Sequence, residues 1–218
     1  MPTTALEWVE AAFASSNAND AGKTAEDSEV LGVLDRAYQS LYALAAVANP
    51  DTYQSRVNVT LAGGVGPLPV DVIDIIRVQN SAGGRVNVYP IRDLDRLWTR
   101  APAIFREART LVSRGDVGDP GPSAVLTTWI LDAPETLAAL TTPIDPRFAV
   151  RWHALPILQL AMYLQTKDEG RDPAEFQKLT SAYTTLLKEF ALVNRVSLTA
   201  LQTPHPGAIA ATTGADKA

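Results

Sequence analysis

The chain has 218 residues, 46% hydrophobic and 20% charged, with 13 glycines, 15 prolines and a mean hydropathy near zero. That is the composition of an ordinary soluble globular protein; it argues against a disordered or collagen-like chain, and no apolar run nears the ~20 residues of a membrane-spanning helix. Zero cysteines remove disulfides, thiolate metal sites and thiol nucleophiles, and two histidines, His153 and His205, leave little for a zinc site or a serine–histidine triad.

Charge is unevenly placed. The formal net charge is −5, and residues 1–29 carry all of it: Glu7, Glu10, Asp20, Glu26, Asp27 and Glu29 against Lys23. The rest of the chain is balanced, with no basic tail or stripe of the kind that binds nucleic acid autonomously. The opening Met1–Trp8 lacks the basic start and apolar stretch of a signal peptide, so none is expected.

In chain order, Leu6, Val9 and Phe13 mark one face of a short helix. A longer helix is predicted from an N-cap at Thr24, with Leu31, Leu34, Tyr38, Leu41 and Ala45 on its apolar face and Asn49-Pro50 as its stop. The period then changes to two. Val57, Val59 and Leu61 alternate with polar residues as a strand, and Gly63–Pro67 reads as a turn or flexible loop. Val70–Val78 reads as a strand with a bulge where its alternation slips, and Gly83-Gly84 turns it back into a strand from Arg85 to Tyr89. Residues 93–113 are ambiguous: Leu94, Leu97, Ile104, Ala108 and Leu111 permit a helix, which Pro102 interrupts, and Arg109–Ser113 could equally be strand; 116–122 is a loop, and Val125–Leu131 a strand closed by Pro134. Asp145-Pro146 predicts a helix start, with Pro156 kinking the helix that follows. Asp172-Pro173-Ala174-Glu175 predicts another start, for a helix to about Val196. Residues 203–218, small and proline-bearing, form an extended tail with no core of its own.

The expected fold class is α+β: an antiparallel helical bundle of N- and C-terminal helices, with an inserted β-hairpin or sheet region and an extended C-terminal tail. The expected divisions are N-terminal helices at 1–50, a β-rich insertion at 51–143, C-terminal helices at 144–202 and the tail at 203–218. Tyr38, Leu41, Trp152, Leu155, Leu179, Tyr183 and Leu186 are expected in the shared helical core.

No motif carries catalysis. Gly63-Gly64-Val65-Gly66 lacks the Lys-Ser/Thr and following helix of a phosphate loop. Asp71/Asp74 and Asp132/Glu135 are spaced as carboxylate pairs, but strand-edge and turn roles explain them. His153 reads as a packed or partner-facing histidine, and Trp8, Trp98, Trp129 and Trp152 as core or interface anchors. An arginine excess from Arg92 to Arg114 reads first as a solvated face with local ion pairs. No enzyme, cofactor, catalytic residue or metal site is expected.

Residues ~54–195 run in an order that resembles the head-to-tail adaptor (connector) proteins of tailed, particularly short-tailed, bacteriophages. The carrying features are an N-terminal helix with Arg36-Ala37-Tyr38-Gln39-Ser40-Leu41, and Leu68-Pro69-Val70-Asp71-Val72-Ile73 leading to the Gly83-Gly84 hairpin. They continue with the strand Trp129-Ile130-Leu131-Asp132-Ala133-Pro134 and the segment Ile144-Asp145-Pro146-Arg147-Phe148. The acidic N-terminal segment and the 92–114 arginines depart from that pattern. The resemblance implies a non-enzymatic virion protein of the neck, made in the host cytoplasm and assembled as a dodecameric ring. It would lie between portal and tail or nozzle protein and extend the channel through which DNA leaves during genome ejection. DNA would pass without specific binding, and no membrane would be involved. The resemblance further implies that the C-terminal extension grips the portal, which points to Pro204, His205, Pro206 and Ile209. Arg92, Arg96, Trp98 and Arg100 are candidates for a subunit or tail contact. The alternatives are a tail-completion or tail-terminator subunit and, from another class, a small cytosolic enzyme using carboxylates.

Overall fold

A computed structural model describes residues 3–16, 27–68, 72–90, 103–107, 109–114, 124–167 and 172–196. The chain divides into two compact units, Met1–Asn49 with Pro134–Ala218, and Pro50–Ala133.

The first unit contains helices α1 (Ala5–Ser16) and α2 (Asp27–Ala48), and, after the excursion through the second unit, α4 (Ala154–Lys167) and α5 (Pro173–Asn194). Contacts between helix ends give their directions. The Gln165 amide near the end of α4 donates to the Ser16 carbonyl ending α1, and Trp8 packs on His153 just before α4, so α1 and α4 run the same way. Lys167 pairs at 2.9 Å with Glu29, at the start of α2, so α2 runs against α4. Trp152 packs on Phe190 near the end of α5, which therefore also opposes α4. The C-termini of α2 and α5 meet where Asn49 Nδ2 donates to Asn194 Oδ1 at 2.8 Å.

Buried Trp8, Leu34, Tyr38, Leu41, Tyr42, Phe148, Leu155, Leu160, Leu164 and Phe190 fill this unit. Trp152 and Leu179 are buried as expected, whereas Tyr183, whose hydroxyl donates to Gln159 Oε1 of α4 at 3.4 Å, and Leu186 are half-buried. Asp172 caps α5 by accepting from the Ala174 N–H at 2.8 Å. Arg195, at φ 54°, ends it, and the Val196 N–H returns to the Ala191 carbonyl at 2.9 Å.

The expected helix start at Asp145-Pro146 is not there; α4 begins at Ala154. The Asp145 carboxylate instead closes a local turn, accepting from the Arg147 N–H at 2.8 Å, while the Phe148 N–H donates to the Asp145 carbonyl at 3.0 Å. Pro156 thus falls in the first turn of α4, where an N–H has no intrahelical acceptor, and the expected kink has no cause.

The second unit opens with the one-turn helix α3 (Pro50–Tyr53) and holds strands β1 (Gln54–Thr60), β2 (Val65–Pro67), β3 (Val72–Gln79), β4 (Arg85–Pro90), β5 (Ala103–Glu107), β6 (Thr110–Arg114) and β7 (Val125–Asp132). They form one seven-stranded sheet in the order β1-β7-β3-β4-β5-β6-β2, antiparallel except for the parallel β4–β5 pair. The edge strands β1 and β2 are consecutive in sequence and approach each other, so the sheet nearly closes into a barrel. Its interior is Val59, Leu61, Leu68, Val78, Val86, Ile104, Leu111 and Leu126. The expected fold class is therefore corrected. The protein is mixed α/β, with a seven-stranded, nearly closed barrel that has its own core, rather than a helical bundle carrying an inserted hairpin. The helices are not uniformly antiparallel either. The expected extended tail, 203–218, lies outside the described residues, as does the Thr24 cap.

Two glycine features close the barrel. Between β1 and β2, Ala62 and Val65 exchange hydrogen bonds of 2.8 and 3.2 Å around Gly63 and Gly64, at φ 61° and 84°. Positive φ at both central positions is the type I′ hairpin turn, which matches strand twist. On β2, a Cβ at Gly66 would lie 2.7 Å from Val59 Cγ1 and 2.9 Å from both Leu61 Cδ2 and the Thr60 carbonyl oxygen. The stretch expected as a turn or loop thus contains a strand whose glycine lets β1 and β2 come together.

Gly66→Ala is expected to cost about 1–3 kcal/mol by overpacking, since one of the opposed atoms is backbone. Gly32→Ala, in the interior of α2 with nothing within 4 Å of the new Cβ, should instead gain up to about 1 kcal/mol from helix propensity. Urea unfolding of the two variants checks the opposite signs.

Candidate interaction surface

Side chains alternate across β7. Leu126, Thr128 and Ile130 are buried, and Trp129 is partly exposed on the outer face. Trp129 is paired with Arg56 of β1 on one side and Arg77 of β3 on the other. The second pairing depends on an irregularity. The β3–β7 register shifts between Val72 and Asp74 and again between Ile75 and Arg77, so Arg77 rather than Ile76 stands opposite Trp129. The bulge expected in this strand is therefore present, and it selects what covers the indole.

The guanidinium of Arg77 lies 3.8 Å from the Trp129 ring centroid and that of Arg56 lies 5.5 Å from it. The next outward row is Asn58, Thr127, Gln79 and Arg85, with Thr127 Oγ1 donating to Asn58 Oδ1 at 3.3 Å. Arg56, Arg77 and Arg85 are exposed, and among the described residues no carboxylate pairs with any of them.

A cleft of about 380 Å³ in the same unit is lined by Asp74, Ile75, Val88, Tyr89, Pro90 and Arg106. Its charges are matched: Arg106 Nη1 pairs with Asp74 at 3.0 Å, and Nη2 faces the Val72 and Ile73 carbonyls at 3.4 Å. Asp132 accepts from Ser55 Oγ at 2.6 Å. These carboxylates are engaged as local structure, while Asp71 lies outside the described residues. No group of three or more His, Cys, Asp or Glu suited to a metal occurs among the described residues, and no helix described is long and apolar enough to cross a membrane.

In the helical unit, Asp145 gathers the polar contacts. Tyr42 donates to its Oδ2 at 2.9 Å, the Arg147 guanidinium binds both carboxylate oxygens, and its own N–H donates to Tyr38 Oη at 3.1 Å. Burial would raise its pKa, but the Arg147 and Tyr42 hydrogen bonds outweigh burial and hold it below the ordinary 3.8. Burial, then the Asp145 carboxylate, pushes the Tyr42 hydroxyl well up. His153 stacks on Phe148 at 5.8 Å and meets the Trp8 edge at 4.9 Å. Its Nε2 lies 3.1 Å from the Phe148 carbonyl, an arrangement in which the ring nitrogen donates, and burial lowers its pKa below 6.5. It is a packed histidine. Aliphatic side chains also face solvent here: Val47 (60% exposed), Val150 (77%) and Leu192 (80%).

Of the residues singled out in the sequence, Arg92, Arg96, Trp98, Arg100, Pro204, His205, Pro206 and Ile209 all lie outside the described residues. Arg56 and Arg77 were not anticipated. They join Trp129 only through long-range strand register, and their local signal is confined to outward positions of alternating strands. No protein-family model matches the chain, and no curated protein matches it by sequence.

The two titrating groups separate by pH. A histidine whose folded pKa is lowered contributes stability above its unfolded value of 6.5, lost as pH falls through the folded value. Asp145 contributes stability above 3.8, lost as pH falls lower still. The thermal midpoint should therefore drop in a first step below pH 6.5 that is absent in His153→Gln, and in a more acidic step that is reduced in Asp145→Asn. Melting curves across pH check both, and a first step unchanged in His153→Gln would assign it to another group.

Proposed function

We propose that the chain is a structural subunit of a bacteriophage neck, a non-enzymatic head-to-tail adaptor. It assembles as a ring between portal and tail and lengthens the DNA exit channel. The order of elements quoted from the sequence supports this reading. The observation that carries it is the outer face of the barrel, where Arg56, Trp129 and Arg77 stand on paired strands and, among the described residues, no carboxylate pairs with either arginine. Arginine and tryptophan are the residues that anchor protein–protein contacts, and a rigid sheet presents them without ordering cost. Exposed Val47, Val150 and Leu192 add apolar surface on the helical unit.

In this reading the tail 203–218 grips the portal through Pro204, His205, Pro206 and Ile209, extended by its prolines and ordered on docking. Arg92, Arg96, Trp98 and Arg100 serve a subunit or tail contact. DNA passes through without being held, because each neutralised phosphate would add friction to its passage.

The test is docking to a purified portal ring of a tailed bacteriophage. Co-sedimentation and electron microscopy should show a second ring on the portal. Deletion of 203–218 should leave the melting temperature of the free subunit nearly unchanged and abolish that docking. Full-length chain that never binds the portal, or binds duplex DNA tightly with steep salt dependence, would overturn the reading.

A further inference from the structure

Stacking against an indole occupies the flat surface of a guanidinium and leaves its N–H edge free, and that edge fits a carboxylate or phosphate in a bidentate fork. Arg77, 3.8 Å from the Trp129 ring centroid, is in this state, and Arg56 approaches the same ring at 5.5 Å from the strand on the other side of β7. With the indole already covered by arginine, the face is poorly suited to base stacking of the kind single-stranded nucleic acids use. What it offers outward is cationic edges, with Arg85 adding charge in the next row and no carboxylate within ion-pair distance of any of the three among the described residues.

A ring is built from a heterologous contact, in which two different patches of the same chain fit each other. The complementary charge lies in residues 1–29, which hold the entire net charge of −5. Within that segment Glu29 is already engaged by Tyr163 and Lys167. Glu7 and Glu10 are exposed on α1, three residues apart and so on one helix face, with no ion pair among the described residues. Leu6 beside them is 40% exposed and supplies apolar contact.

We infer that Arg56 and Arg77, held in place by Trp129, bind Glu7 and Glu10 on helix α1 of an adjacent copy of this chain. This names the subunit contact of the ring and rests on the ring-forming reading above. It places that contact on the outer face of the barrel.

A charge swap tests it. Arg56→Glu/Arg77→Glu in one variant and Glu7→Arg/Glu10→Arg in another should each weaken self-association about tenfold or more, with melting temperatures near that of the unchanged chain. Mixing the two variants should restore association, since each then meets an opposite charge in the other. Sedimentation is read for the chain alone and on the portal ring. Self-association that survives both variants overturns this contact and leaves the ring reading standing. An unchanged chain that stays monomeric in both settings overturns the ring reading and this contact with it. Duplex DNA binding lost in the arginine variant would make the face a polyanion site and overturn the inference.

Discussion

Strand β7 is the constraint on which the barrel depends. It is the last strand of its unit in sequence, yet it pairs with β1 on one side and β3 on the other, joining the first half of the sheet. Its alternation decides what is inside and what is outside. A one-residue slip would carry Leu126 and Ile130 out of the core and turn Trp129 into it. The register that buries the core also sets the outer row, so the packing of the barrel and the chemistry of its surface are one constraint. The bulges in β3 are part of it, because without the shift at Ile75/Arg77 the indole would face an isoleucine rather than a cation.

The helical unit is organised by a different interaction. Asp145 sits in the connection that precedes α4, partly buried, and its carboxylate is satisfied by Arg147 and by Tyr42 from α2. A partly buried carboxylate left unpaired would be costly; paired, it pins the connection to the helix. Around it Trp8, Tyr38, Tyr42, Phe148 and His153 pack, mostly edge to face, so the polar knot and the aromatic core hold the same segment.

Much of the local structure was legible in the sequence. The periods and stop signals of α1, α2 and α5, the strands β1, β3, β4 and β7, and the Asp172 cap all follow from short-range rules. What failed was whatever needed distant partners. Asp145-Pro146 carries the chemistry of a helix cap, but the same carboxylate also makes a turn, and tyrosines from α2 favoured the turn. In 93–113 the spacing of Ile104, Ala108 and Leu111 permits a helix and only Arg109–Ser113 reads as possible strand, so Ala103–Glu107 becomes a strand through its pairing with β4 and β6. Val65–Pro67 is too short and too rich in glycine and proline to read as a strand. Its role becomes visible once β1 lies against Gly66. The surface row followed the same rule: Trp129 could be marked as an anchor, but its two arginines come from strands far off in sequence. The arginine-rich stretch drew attention by composition, yet one of its described members, Arg106, is matched to Asp74.

The two charge patterns of the chain are a net negative N-terminal segment and a row of arginines that no carboxylate pairs with among the described residues, and the proposed contact between copies would bring them together. The most direct measurement is a high-resolution cryo-electron microscopy structure of the proposed ring. The expected result is the Glu7 and Glu10 carboxylates of one subunit within about 4 Å of the Arg56 and Arg77 guanidiniums of the next, with both arginines still against Trp129. A ring in which that barrel face lies open to solvent, with α1 packed elsewhere, would contradict it.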